Sequence, residues 1–210
     1  MYQHVPNALT LFRAVLAAVF FLVLNQYRYT PEVTSHNWIL WVAMGIFIVA
    51  GITGWLDGYL ARKWEVVTVF GRVMDPFCDK LLIIGALIYL SGSRFVDPIA
   101  VQEQSFFTMV SGVYPWMVVL ILARELLVTG IRGEMESRGV AFGAKWSGKL
   151  KAMLQMVAIP VVLGYVAIGS SEPMLRGVRD VMVYATVLVT VASGWPYVQS
   201  AMVQLKQKPD

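Results

Sequence analysis

GWLDGYLARKWEVVTVFGRVMDPFCDK, residues 54–80, separates two long apolar runs and carries Asp57, Asp75 and Asp79. Charge at membrane depth is costly and usually marks a site. Asp75 and Asp79 are four residues apart, so on a helix their carboxylates stand one above the other. Like charges at that spacing repel unless a metal ion or a proton is shared between them. With Arg62, Arg72 and Lys80 alongside, the stretch points to a bound divalent metal and a phosphorylated ligand.

Working outward, the chain of 210 residues is 58% hydrophobic and only 14% charged. Soluble domains average about a quarter charged. The composition predicts an all-α integral membrane protein of a single domain, residues 1–210. Six apolar runs, near 8–25, 38–56, 69–92, 114–131, 149–169 and 178–203, are each long enough to cross a bilayer as a helix. Lys and Arg concentrate at the termini and in 57–68 and 132–148, whereas the other connections hold only Arg28, Arg94, Arg176 and Arg179. The positive-inside rule then places both termini in the cytoplasm. The first run lacks a small-x-small cleavage site and Arg13 interrupts its start, so it reads as a span rather than a cleaved signal. Cys78 is the one cysteine, which excludes an intrachain disulfide and suits a small packing residue.

Outside 54–80, polar residues recur at the same membrane face. Pro6 and Asn7 suggest a helix start, with Asn7 as N-cap. Asn7, Thr10 and Arg13 share one helical face, either as a cap with an interface anchor or as the lining of a cytoplasmic pocket. The spacing predicts an inner loop over 58–71, with Thr68 and Gly71 ahead of the third helix and Pro76 shaping its start. Residues 93–113 read as a loop with a short interfacial segment. Arg124 adjoins Glu125, and Arg132 follows; both cations face a polar cavity, a carboxylate or the interface. Arg138 and Lys145 suit attraction to anionic lipid. Lys149 follows Ser147-Gly148 at a helix mouth, where backbone N–H groups and an ammonium meet one phosphate. Gln155 predicts a hydrogen bond between helices, and Gly194-Trp195-Pro196 predicts a kink. The sequence shows no internal repeat and no nucleic-acid module.

Asp57-Gly58-x-x-Ala61-Arg62, eight further residues, then Gly71-x-x-x-Asp75-x-x-x-Asp79 resembles the signature of the CDP-alcohol phosphotransferases at seven positions. The likeness extends to Asn7-x-x-Thr10-x-x-Arg13, Ala123-Arg124-Glu125, Ile131-Arg132, Gly148-Lys149 and Gln155-Met156, which look like the branch that makes phosphatidylglycerophosphate. The resemblance implies six transmembrane helices, a homodimer in the cell membrane among lipids, and a polar cavity open to the cytoplasm. It implies attack by an alcohol hydroxyl on CDP-diacylglycerol, with CMP leaving and sn-glycerol 3-phosphate as acceptor. By position, Asp57, Asp75 and Asp79 would hold two divalent ions, Mg2+ or Mn2+, and Asp79 would also be the general base. Asn7, Thr10, Gly58, Ala61, Arg62, Thr68 and Gly71 would form the CDP-diacylglycerol site. Arg124, Arg132 and Lys149 would bind the phosphate of the acceptor.

One position departs from that pattern. The family has a metal-binding aspartate where this chain has Gly54, and Gly51, Ile52 and Thr53 supply no substitute. Water or substrate phosphate would then complete the ligand shell. Three explanations stand open: a site with fewer protein ligands, an inactive or repurposed relative, or an altered residue. A non-catalytic nucleotide-lipid binder and a small transporter are the competing classes, and clustering of the charges at one face disfavours the transporter.

Overall fold

The computed structural model describes residues 5–31, 37–63, 69–139, 146–169 and 172–206; the side chains of 5–7, 57–63, 69, 70, 72, 73 and 204–206 are outside that description. Among the described residues the regular structure is helical: α1 (Val5–Leu24), α2 (Trp38–Lys63), α3 (Val69–Leu90), α4 (Pro98–Gln102), α5 (Pro115–Ser137), α6 (Trp146–Ile168), α7 (Pro173–Ala192) and α8 (Trp195–Lys206). A 3-10 turn at Ser93–Phe95 and an isolated bridge between Val96 and Met109 tie down the connection that carries α4.

Local chemistry sets several helix starts. Pro98, Pro115 and Pro173 open α4, α5 and α7, where a missing backbone N–H costs nothing and the fixed φ suits a helix. Asp97 caps α4 by accepting the Ile99 N–H at 3.0 Å. Pro76 and Pro160 lie inside α3 and α6, and both helices continue through them. α1 begins at Val5, so Asn7 stands within its first turn and not at the N-cap.

Two boundaries move the expected site residues onto helices. α2 does not stop at Leu56 but runs on to Lys63, so Asp57, Gly58, Ala61 and Arg62 are helical. α3 begins at Val69 and includes Gly71. Thr68 lies outside the described residues, as does Lys145. The last apolar run is two helices, α7 and α8, which meet at Ser193-Gly194.

Three helical segments are long and apolar enough to cross a bilayer by length and composition: Trp38–Leu56, Trp146–Ile168 and Pro173–Val203. Ala8–Leu24 is apolar but shorter. α1 packs on α2 and α3, α6 packs on α7 and α2, and α5 touches α3, α7 and α8. Phe20, Phe47, Leu40, Leu90, Met117 and Leu163 fill the centre, and the Phe20 and Phe47 rings meet at 5.6 Å. The outer surface is also apolar: Leu22, Val119, Leu126, Val181 and Leu188 are each more than 60% exposed. Apolar side chains facing both inward and outward are what a helix bundle in lipid requires. The protein is an all-helical membrane protein.

Candidate active site

α1 and α3 run side by side in the same direction, and their polar residues meet in two rungs. Thr10 donates a hydrogen bond to Asp75. Arg13 donates to Asp79 and forms an ion pair with it. Three residues of α1 thus span four residues of α3, a rise of roughly 4.5 Å against 6 Å. Thr10 and Arg13 are each about 1% exposed. Between the two readings of the Asn7–Thr10–Arg13 face, Thr10 and Arg13 therefore turn inward; the Asn7 side chain lies outside the described residues. Gly71 is buried at the start of α3.

Gly54 of α2 belongs to the same cluster. A Cβ built there would stand 2.8 Å from Arg13 Cζ and 3.0 Å from one of its terminal nitrogens. The guanidinium that holds Asp79 therefore lies directly over Gly54, in the space a longer side chain would take. Asp79 is the exposed member of the pair, with 59% of its side chain open against 1% for Arg13.

Asp79 opens into a cavity of about 200 Å³ shared with Pro76, Lys80, Glu125, Lys151 and Gln155. Lys80 donates from Nζ to Thr129 Oγ1, and Thr129 Oγ1 donates in turn to the Glu125 carbonyl at 2.6 Å. Glu125 is 5% exposed. Its carboxylate accepts from Lys151 Nζ and from Arg124 at 3.2 Å. Arg124 also donates to the Ser193 carbonyl at 3.3 Å and lies over the Tyr197 ring at 5.7 Å. Arg132 pairs with Glu136 at 3.6 Å, and Lys149 is exposed at the start of α6. Gln155 bonds across to Thr190 at 3.2 Å, as its depth in the bundle predicts.

The residues expected from sequence thus separate into three groups. Thr10, Asp75 and Asp79 come together, with Arg13 and Gly54 completing the cluster. Arg124 stands behind Glu125, whereas Arg132 and Lys149 do not line the cavity beside Asp79. Lys80, Glu125 and Lys151 do line it. The side chains of Asn7, Asp57, Ala61 and Arg62 lie outside the described residues. Lys151 follows Lys149 by two residues and reads as the same loop charge in sequence; about half a turn of α6 separates the two and sets them on different faces of the helix. No group of three or more metal-ligating side chains converges among the described residues.

Paired carboxylates at one end of a helical membrane bundle, next to a cavity lined by two lysines, make a concentrated polar site in an otherwise apolar molecule. The chain belongs to the CDP-alcohol phosphatidyltransferase family, which it matches over residues 3–192. It is 38% identical over 95% of its length to a protein of Mycobacterium tuberculosis named probable phosphatidylglycerophosphate synthase, covering 82% of that chain. It is 33% identical over 92% of its length to the CDP-diacylglycerol–glycerol-3-phosphate 3-phosphatidyltransferase of Bacillus subtilis, covering 93% of it. The enzyme of the same name from Escherichia coli is 33% identical over 78% of this chain and 78% of its own.

Proposed function

We propose that the protein transfers the phosphatidyl group of CDP-diacylglycerol to sn-glycerol 3-phosphate, releasing CMP and forming phosphatidylglycerophosphate for phospholipid synthesis. The observation that carries this is the cavity beside Asp79, with Lys80 and Lys151 on its wall. An acceptor whose hydroxyl meets Asp79 sets its own phosphate against two ammonium groups. Family membership and the similarity to synthases of that name support the same reaction.

The acceptor oxygen attacks the phosphorus attached to diacylglycerol, the bond from that phosphorus to the CMP oxygen breaks, and the hydroxyl proton passes to Asp79. Such transfers depend on positioning and charge neutralisation. Thr10 fixes Asp75, and Arg13 fixes Asp79, so both carboxylates are oriented before substrate arrives. Arg13 must share or release Asp79 for that carboxylate to accept a proton. Arg124 supports Glu125, which in turn holds Lys151 in the cavity. Asn7, Thr10, Gly58, Ala61, Arg62, Thr68 and Gly71 form the CDP-diacylglycerol side. Arg124, Arg132 and Lys149, joined by Lys80 and Lys151, form the acceptor side.

The hard oxygen donors of Asp57, Asp75 and Asp79 suit Mg2+ or Mn2+. When bound, such ions neutralise the phosphates and stabilise the leaving oxygen. A fourth donor at position 54 is absent, and Arg13 covers that point with a fixed cation. In this reading α1, α2, α3, α5, α6 and α7 with α8 are the six spans of a single domain. Both termini and the Asp79 cavity face the cytoplasm of a homodimer in the cell membrane.

The test is CMP release from CDP-diacylglycerol and labelled sn-glycerol 3-phosphate with Mg2+ or Mn2+. Its absence in this chain and in Gly54→Asp would refute the reaction. A non-catalytic nucleotide-lipid binder is the second reading, favoured by Arg13 over Gly54; turnover that disappears in Asp79→Asn excludes it.

A further inference from the structure

A second cavity, of about 320 Å³, lies at the opposite end of the bundle from Asp79. Its walls are Tyr29 after α1, Asp97, Ser105 and residues 107–110 around α4, Tyr165 and Gly169 at the end of α6, and Arg176 and Arg179 in the first turns of α7. The Asn37 side chain at the start of α2 donates to the Ala167 carbonyl at 2.9 Å, which places the start of α2 at this same end. Trp38, Trp41 and Trp116, at the starts of α2 and α5, are 45–59% exposed there. Exposed tryptophans at helix ends mark the level of lipid headgroups. Phe106 and Phe107 at the rim are 87% and 52% exposed.

The charges in this cavity do not cancel in place. Arg179 is 5% exposed. It is fully engaged: it donates to Asp180 at 2.9 and 2.5 Å and to the Val110 carbonyl at 2.6 Å, and lies 4.6 Å over the Tyr165 ring. Gly112, at φ +70, lets the loop approach it; a Cβ there would meet Arg179 Nε at 2.9 Å. Arg176 and Asp97 lack an ion-pair partner among the described residues, and there the Asp97 carboxylate accepts only the Ile99 N–H. Among the described residues, one cation on α7 and one anion ahead of α4 thus remain without an ion pair. Tyr29, Ser105, Thr108 and Tyr165, each with a hydroxyl, line the same cavity. Burial, then Asp97 and Tyr165, push the Tyr29 phenol above its ordinary pKa, so it stays a neutral O–H donor.

We infer that this cavity binds the zwitterionic headgroup of a membrane phospholipid, with its phosphate against Arg176 and the tyrosine hydroxyls and its amine against Asp97. A site that offers one cation and one anion without an ion pair among the described residues, set at the interface with an apolar rim, selects a headgroup carrying both charges over one that carries phosphate alone. The inference is independent of the proposed transferase activity, because neither Arg176 nor Asp97 is near Asp79.

The test uses the delipidated full-length protein in detergent, with thermal shift and native mass spectrometry as readouts. Phosphatidylethanolamine, phosphatidylglycerol and soluble glycerophosphoethanolamine are titrated separately. Phosphatidylethanolamine is expected to bind the wild type about tenfold more tightly than phosphatidylglycerol. Arg176→Gln is expected to weaken both lipids. Asp97→Asn keeps the helix cap and is expected to remove the preference between them. Equal binding of the two lipids by the wild type, or unchanged binding in Arg176→Gln, overturns the inference. Equal binding of glycerophosphoethanolamine and the lipid overturns the assignment to a membrane lipid in favour of a soluble phosphodiester. CMP release by both variants is expected to stay at the wild-type rate.

Discussion

Arg13 is the residue on which the site turns. It is buried, pairs with Asp79, and lies over Gly54. Gly54→Asp would force its guanidinium to move by a few tenths of an ångström or more, and the new carboxylate would compete with Asp79 for it. The expected outcome is Asp79 partly released and divalent ions held more tightly. Isothermal titration with Mn2+ should show about a tenfold lower Kd or an added binding step, as one more hard oxygen ligand gives. Asp79→Asn should lower CMP release by about 10²–10⁴-fold, the range for a lost general base. At the acceptor wall, Lys151→Met should raise KM for sn-glycerol 3-phosphate about tenfold, the effect of one charge-assisted hydrogen bond. Lys149→Met, at an exposed position, should change it far less. Steady-state kinetics of the pair separates the two. The motif residues Asp75 and Asp79 were legible because their spacing is fixed within one helix. The partners Thr10 and Arg13 were visible only as a shared face. Which carboxylate each one meets depends on how α1 packs on α3, more than sixty residues away, and sequence spacing does not encode that.

At the scale of the element, the helices that hold the charged residues of the proposed site look least like spans. α3 holds Asp75, Asp79 and Lys80, and α5 holds Arg124, Glu125 and Arg132. These charges lower the hydropathy of both helices, whereas α2, α6 and the α7–α8 pair keep their apolar runs. The six runs were readable from sequence because each is bounded by charge or by Pro and Gly. The end of α2 was not. Asp57, Gly58 and Arg62 resemble loop residues, and helix propensity alone does not show that a polar segment continues for two more turns. The split between α7 and α8 was foreshadowed by Gly194 and Pro196, where Arg124 packs within 3.2 Å of a Cβ built at Gly194. The connection before α5 contains a tighter constraint. Gly112→Ala would place a side chain at φ +70 and against Arg179, so it should cost about 1–2 kcal/mol, read as a lower Tm in detergent.

For the whole molecule, the two ends differ in chemistry. Of the seven lysines, Lys63, Lys145, Lys206 and Lys208 fall in the segments that the charge pattern assigns to the cytoplasm, Lys149 and Lys151 open the fifth apolar run, and Lys80 lines the Asp79 cavity. Arginine alone supplies the far end, at positions 28, 94, 176 and 179. A membrane-impermeant amine reagent should therefore modify the protein in sealed inverted vesicles and leave it unmodified in right-side-out ones. Equal modification from both sides would contradict the proposed orientation. The lysine-rich end also holds Asp79, while the far cavity is built from arginine, tyrosine and aspartate. Sequence alone revealed the first end through its motif. The second end is assembled from five separate segments, each unremarkable by itself, and only the folded bundle brings Tyr29, Asp97, Tyr165 and Arg176 around one space.

Cys78 sits between Asp75 and Asp79 in sequence, about 60° around α3 from Asp75, and is fully buried. One turn of that helix thus holds carboxylate and sulfur close together, and Leu82 and Ala86, one and two turns further on, are buried along the same side. Exposing the thiol requires α3 to turn or lift, and either motion displaces both carboxylates with it. The molecule therefore carries an internal clock for its own site. The rate at which a small thiol reagent reaches Cys78 counts how often α3 turns or lifts away, and ligands that lock the carboxylates in place should slow it.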